Sequence, residues 1–327
     1  MKKALTFLFM GLFLKIFADD TFSIVAVDSV TGEIGSAGCS CIDHCIIISD
    51  IVPGIGAVHT QAYWNVTNQA NANGAMSAGY APDAVISYAV ANDAGGGFDS
   101  SYRQYGAVTY NFGHPLSAAY TGANCADWKG HITGANFSIQ GNILLGAYVL
   151  DSMKSRFVNT PGCLADKMMA ALQGANFAGA DTRCLAEGVP GTSAFVRVAK
   201  PTDAAGSFYL DLNVNSRPYG LSPIDSLQTL FDNWKAGNPC TTAINKTAAT
   251  ATAISPNPFN NILLIELNQP EVKLVQLCEL NGKVLLQNGV EGKQISLNTE
   301  QLQSGCYLLH FLNDSGQILA IKKVLKQ

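Results

Sequence analysis

The stretch Thr21-Phe-Ser-Ile-Val-Ala-Val-Asp28-Ser-Val-Thr-Gly32-Glu-Ile-Gly35 decides how the chain is read. Its opening residues are apolar or β-branched and suit a strand. Asp28 and Gly32 are turn formers. The two halves together read as a β-hairpin. Thr21 opens it, and a hydroxyl residue at a freed chain terminus carries its own general base. The α-amine takes the hydroxyl proton directly or through one water, so nucleophile and base come from one residue. A threonine is equally an ordinary first residue for a strand.

Upstream, MKKALTFLFMGLFLKIFA has a Lys2-Lys3 head and an apolar run ending at Ala18. Residues 1–18 read as an export signal rather than a transmembrane helix, because the run is short and ends in a cleavable context. A cut after Ala18 leaves Asp19-Asp20 ahead of Thr21, so a further trimming step is needed to free it. No later segment has the roughly 20 apolar residues that span a bilayer, and an exported, soluble product is expected. The length of 327 residues suits about two domains of roughly 100–200 residues. Only 13 % of residues are charged, the net charge is −4 and there is no basic cluster, which argues against nucleic acid and anionic membrane as partners.

Downstream, strands are expected at Glu33–Ile42 and Ile55–Gln61, and as pairs over Arg103–Tyr110 with Leu116–Thr121 and Thr192–Val198 with Phe208–Val214. Helical spacing marks Pro82–Ala91, Asn142–Phe157, Leu164–Ala171 and Pro223–Lys235. Hairpins separated by helices predict an α+β layered domain over residues 19–237. Residues 238–253, rich in Thr, Ala and Asn, read as a linker. From Ile254 to Gln327 short strands alternate with turns, Leu280-Asn-Gly-Lys283 being the clearest hairpin signal, and a small all-β sandwich is expected.

Nine cysteines in an exported chain invite disulfides, and the odd number leaves one unpaired. Cys39-Ser-Cys41-Ile-Asp-His44-Cys45 contains zinc-ligand residue types, but not at the usual spacing. Disulfide bonding or plain packing fits it better, and no metal is assigned. His59, His114 and His131 are isolated, and no nucleophile-elbow motif supports a serine triad.

Several blocks together resemble the DUF1028 family: TFSIVAVDSVTGEIGSAG, GIGAVHTQA, RQYGAVT, TGANC…GHITGANFSIQGNILLG and GADTRC, from about Thr21 to Pro218. That family is placed in the N-terminal-nucleophile (Ntn) hydrolase superfamily. The resemblance implies a four-layer αββα sandwich and an amide-hydrolase-like site at the start of the first strand. It makes Thr21 the candidate nucleophile. Gln61 becomes a candidate donor to a carbonyl oxygen. Asn136, Gln140 and Asn142, just before or at the start of a helix, become candidates for stabilising an oxyanion through side-chain amides or helix N-terminal N–H groups, with helix capping the alternative for Asn142. Asp181 and Arg183 become a candidate ion pair that orients substrate or nucleophile, or that only holds a loop. No cofactor is implied, and the substrate is an unidentified small molecule or peptide.

Ile254-Ser-Pro-Asn-Pro-Phe259, Asn281-Gly-Lys283, Leu302-x-Ser-Gly-x-Tyr307 and Lys322-Lys-Val-Leu-Lys326 resemble the type IX secretion C-terminal sorting domain. That resemblance implies secretion machinery as a partner, a secreted or cell-surface product exported through the periplasm, and a bacterium of the Bacteroidota. Two functions fit the whole: a secreted Ntn-type hydrolase, or a non-catalytic surface or binding protein on the same fold.

Overall fold

A computed structural model describes residues 21–110, 114–239, 251–268, 270–279, 283–314, 316 and 318–327; the export signal, Asp19-Asp20, most of the linker and the Asn281-Gly282 turn lie outside them. β1 (Thr21–Val27) and β2 (Ile34–Ser40) form the expected hairpin, with Thr21 opposite Ser40 and Val27 opposite Ile34. The Asp28 carboxylate closes the turn, accepting from the Val30 and Thr31 N–H groups at 2.8 and 3.0 Å. Both strands are buried throughout. Burial on both faces explains the nearly unbroken apolar run.

β3 (Ser49–Val52) and β4 (Gly56–Gln61) follow, then α1 (Val66–Ser77) and α2 (Pro82–Ala91). β5 (Gln104–Thr109) pairs with β6 (Leu116–Thr121), as the sequence predicts. Next come β7 (Gly130–Thr133), β8 (Phe137–Gly141), α3 (Tyr148–Asn159), α4 (Leu164–Gly174), β9 (Ser193–Ala199), β10 (Leu210–Val214) and α5 (Pro223–Gly237). Two antiparallel sheets result, in the orders β10-β9-β2-β1-β8-β7 and β3-β4-β5-β6.

The layers follow from side-chain parity along each strand. Phe22, Ile24 and Ala26 of β1 face one core with Leu150 and Met153 of α3 and Leu164 and Met168 of α4. On the second sheet, Val58, Tyr105 and Ala107 pack against Ala72 and Met76 of α1 and Val85 of α2. The remaining faces meet each other, with Val25, Val27, Ile34, Ala57 and Val108 filling one end of the inter-sheet space. This is the four-layer αββα sandwich.

Several elements depart from the sequence expectation, the strands β7 and β8 among them. α1 was not foreseen, because its sequence VTNQANANGAMS has few apolar residues and buries chiefly Ala72, Ala75 and Met76. Its start is fixed instead by the Asn65 side chain, which accepts from the Thr67 and Asn68 N–H groups at 2.9 and 3.2 Å. α3 starts at Tyr148 rather than Asn142. Asn142 is held in extended pairing, its N–H donating to the Thr21 carbonyl at 3.3 Å, and Ile143 is left-handed with φ 53°. The helix-cap role of Asn142 is thereby ruled out.

The second compact unit, Thr241–Gln327, is all-β among its described residues. β11 (Ala251–Ser255), β12 (Ile262–Leu267) and β15 (Gln294–Asn298) form one sheet; β13 (Leu274–Cys278), β14 (Val284–Gly289), β16 (Gly305–Leu312) and β17 (Ile318–Lys326) form the other. Alternate residues such as Leu263, Ile265, Val275, Leu309 and Phe311 make a shared core between them. It is a small sandwich with one wet face per sheet.

Candidate active site

Opposite the apolar end, the inter-sheet space is polar. Thr21, Ser23, Ser36, Ser40, His59, Gln61, Gln104, Ser138, Gln140 and Asn142 are all buried there. Buried polar groups cost free energy unless paired, and nearly all of these are. Gln61 lies at the end of β4. Its Nε2 donates to the Thr21 carbonyl at 2.9 Å and to Gln104 Oε1 at 2.8 Å, and its Oε1 accepts from Ser23 Oγ at 2.6 Å. Gln140 Nε2 donates to Ser23 Oγ at 2.7 Å. Gly106 makes room for this amide: a Cβ there would lie 1.9 Å from Gln140 Oε1.

Gln104 is the hub, and carbonyls fix its orientation. Its Nε2 points at the Gly130 and Gly141 oxygens at 3.0 and 2.9 Å, so its Oε1 must accept. Asn142 Nδ2 supplies the second donor to that oxygen at 3.0 Å. Of the expected donors, Gln61 therefore has both side-chain N–H groups engaged within the network, Gln140 donates to Ser23 Oγ, and Asn142 has one of its two N–H groups engaged. Asn142 Oδ1, by contrast, is buried and has no hydrogen-bond partner.

Asp181 and Arg183 form the ion pair the sequence suggested. Arg183 Nε and Nη2 reach the two carboxylate oxygens at 3.0 and 2.6 Å, and Nη2 also reaches Ser40 Oγ at 3.2 Å. Asp181 is fully buried and accepts the Cys41 N–H at 3.0 Å. A disulfide between Cys41 and Cys184 ties the same two segments. The cysteine cluster thus resolves into one disulfide partner, Cys41, and two buried thiols, Cys39 and Cys45. Burial, then the neighbouring Cys45 and Asp181, push the Cys39 thiol well above its ordinary pKa, so it is no thiolate nucleophile.

Asn136 does not join this group. Its Nδ2 donates to the Val27 carbonyl at 2.7 Å. That is the far end of β1, roughly 20 Å of extended chain from Thr21. Backbone strain instead collects at the near end. The non-glycine residues at positive φ among those described are His44, Ala62, Tyr63 and Ile143, at 59°, 55°, 53° and 53°. Ala62 and Tyr63 follow Gln61 directly, and Ile143 follows Asn142. Such conformations cost on the order of 1–3 kcal/mol each and gather at functional sites.

The sequence reading missed Arg103, which holds the Ala62–Tyr63 turn. Its guanidinium donates to the Tyr63 carbonyl, to the Phe98 carbonyl at 2.8 Å and to Asp93 at 3.0 Å, and the two charged side chains are 4 % and 9 % exposed. Asp93→Ala leaves a buried cation uncompensated and is expected to cost roughly 3 kcal/mol. Asp93→Asn keeps an acceptor and should cost less. Chemical denaturation of the three proteins checks the order.

His59 sits inside the network, Nδ1 against Gln140 Nε2 at 3.3 Å and Nε2 against Ser36 Oγ at 2.6 Å. Burial, with Arg197 nearby as a lesser cause, lowers its pKa to about 3. An unfolded histidine titrates near about 6.5. Below that value the unfolded chain takes up a proton that the fold refuses, so stability falls as pH drops. Between pH 7 and 5 the expected loss is about 2 kcal/mol. Unfolding at the two pH values reads it, and His59→Gln should flatten the dependence; an unchanged slope in that variant refutes the assignment.

Comparison with known proteins fits this architecture. The sequence model of a family of unknown function, DUF1028, matches residues 21–226. That of a secretion system C-terminal sorting domain matches residues 253–327. A crystal structure of a DUF1028 protein from Silicibacter pomeroyi superposes with a TM-score of 0.53 at 24 % identity, covering 66 % of this chain and 89 % of that one, which shows a shared fold. Anbu (ancestral beta-subunit) from Yersinia bercovieri matches at 10 % identity and a TM-score of 0.33, over 67 % and 94 % of the two chains, too distant to carry weight. No curated protein matches. The C-terminal unit is a type IX sorting domain, so the product is exported to the cell surface or secreted, and no helix among the described residues is long and apolar enough to cross a membrane. The chain belongs to the DUF1028 family, whose function is unknown, and joins that family's domain to a secretion sorting domain.

Proposed function

We propose that the first unit is a secreted Ntn-type hydrolase that cleaves an amide bond, with Thr21 as nucleophile. One observation carries the reading. Thr21 is the first residue of the sheet's central strand, between β2 and β8, and its side chain shares a face with Ser23 in the polar inter-sheet space. Release of the chain ahead of Thr21 turns its backbone N–H into an amine. That amine takes the Oγ1 proton as Oγ1 attacks the substrate carbonyl. The tetrahedral intermediate collapses to a threonyl ester, the protonated amine returns the proton to the departing nitrogen, and water hydrolyses the ester. Arg183, beside Ser40 across the ladder from Thr21, supplies positive charge where the oxyanion develops.

The test is capture of the ester. Secreted protein is quenched in acid during turnover of a panel of N-acyl amines and digested for mass spectrometry. An acyl group on the Thr21 peptide supports the mechanism; steady turnover with an acyl group on another residue removes it.

A second reading, a non-catalytic surface or binding protein, draws on the Gln61 amide, both of whose N–H groups are committed within the network rather than left to an oxyanion. Absence of turnover across the panel by a chain that begins at Thr21 would favour it.

A further inference from the structure

The orphan acceptor Asn142 Oδ1 has a definite place. The Asn142 N–H donates to the Thr21 carbonyl one step beyond the register pair Phe22–Gly141, so Asn142 and Thr21 face each other across the ladder. The next pair on the same face, Ser23 and Gln140, is joined through its side chains at 2.7 Å. Parity therefore puts the Thr21 and Asn142 side chains together on the inter-sheet face, with Cβ atoms about 5 Å apart.

The orientation of the Asn142 amide is not free to reverse. Gln104 Nε2 is committed to carbonyl oxygens and Gln61 Nε2 to the Thr21 carbonyl, so Gln104 Oε1 can only accept, and Asn142 must give it Nδ2. An oxygen is left turned elsewhere in a buried site where every unpaired acceptor is costly. In the uncut chain Thr21 offers one backbone N–H. A freed Thr21 offers two as an amine and three as an ammonium. The cut thus creates donors beside an acceptor that lacks one.

We infer that Asn142 Oδ1 is the acceptor for the freed α-amino group of Thr21, holding one N–H so that the amine's lone pair is presented to Oγ1 of the same residue. The inference rests on the reading of Thr21 as a terminus. It assigns Asn142 to the base rather than to the oxyanion, and it gives the network of Gln61, Gln104 and Asn142 one purpose: fixing which end of the Asn142 amide faces Thr21.

The test needs no substrate. An enteropeptidase site is inserted between Asp20 and Thr21 of the full chain, the chain is cut before refolding, and the Thr21 amine is titrated by NMR with labelled threonine. Asn142→Asp places a carboxylate against the amine and is expected to raise its pKa by about one unit or more. Asn142→Leu removes the bond to Gln104 in both forms, and is expected to lower the melting temperature of cut protein by more than that of uncut protein. In wild-type cut protein the Asn142 side-chain carbonyl carbon should shift in step with the amine titration. A carbonyl carbon that ignores that titration overturns the inference even if the variants fail to fold, as does an unchanged amine pKa in folded Asn142→Asp. An inactive protein that shows these shifts removes the hydrolase and keeps the contact; an active one without them does the reverse.

Discussion

Thr21→Ala is expected to lower turnover by about 10⁴-fold or more, because in the proposed mechanism it removes the group that forms the covalent bond and with it the reaction path. Thr21→Ser keeps a hydroxyl at the same place and should retain turnover within about tenfold. The pair separates chemistry from folding. Thr21 is fully buried at a strand end, so alanine there costs some packing, but serine costs a methyl group too. An alanine variant that folds like the serine variant and still turns substrate over at the wild-type rate would mean that another group attacks. Steady-state rates on one substrate from the N-acyl amine panel, with far-ultraviolet circular dichroism of both variants, make the comparison.

Gln104→Leu is expected to be the most damaging single change to stability, at about 5 kcal/mol. The size follows from what the amide serves. Its nitrogen lies within 3.0 Å of the Gly130 and Gly141 carbonyls and 2.9 Å of Thr121 Oγ1, and its oxygen takes hydrogens from Gln61 and Asn142. Leucine has similar volume but satisfies none of these, and each buried group left unpaired costs roughly 1–3 kcal/mol. Gln104→Glu keeps the acceptor and should be milder at low pH, where the carboxyl is protonated and can still donate. Urea unfolding of both variants measures the difference. A Gln104→Leu loss below about 1 kcal/mol would mean that the network is not closed as described.

Much of the architecture was legible because burial writes itself into sequence. TFSIVAV with its Asp28–Gly32 turn read as the first strand of a hairpin, Pro82 marked the start of a helix, and the composition change after residue 237 separated two kinds of domain. The polar half of the inter-sheet layer was not legible. Gln104 sits in a strand where glutamine looks like an outward-facing residue, and only the arrival of a second sheet turns that face inward; Gln140 was singled out, but for the start of a helix rather than for strand β8. Arg103 gave no signal for the same reason: its partners Asp93, Phe98 and Tyr63 are loop residues gathered by the fold. Asn136 and Asn142 shared one motif, and strand β8 between them carried them to opposite ends of β1. Spacing in sequence said nothing of that, because a strand separates its ends by its full length. Position and the family resemblance together marked Thr21 as a candidate, and the same reading marked the two aspartates that stand before it.

Everything proposed for Thr21 depends on its becoming the first residue. Intact-mass analysis and N-terminal sequencing of the protein recovered from the outside of the cell, paired with its activity on the N-acyl amine panel, decide this most directly. The account predicts an active mature chain that begins at Thr21. A fully active chain that begins at Asp19 or Asp20 would contradict it.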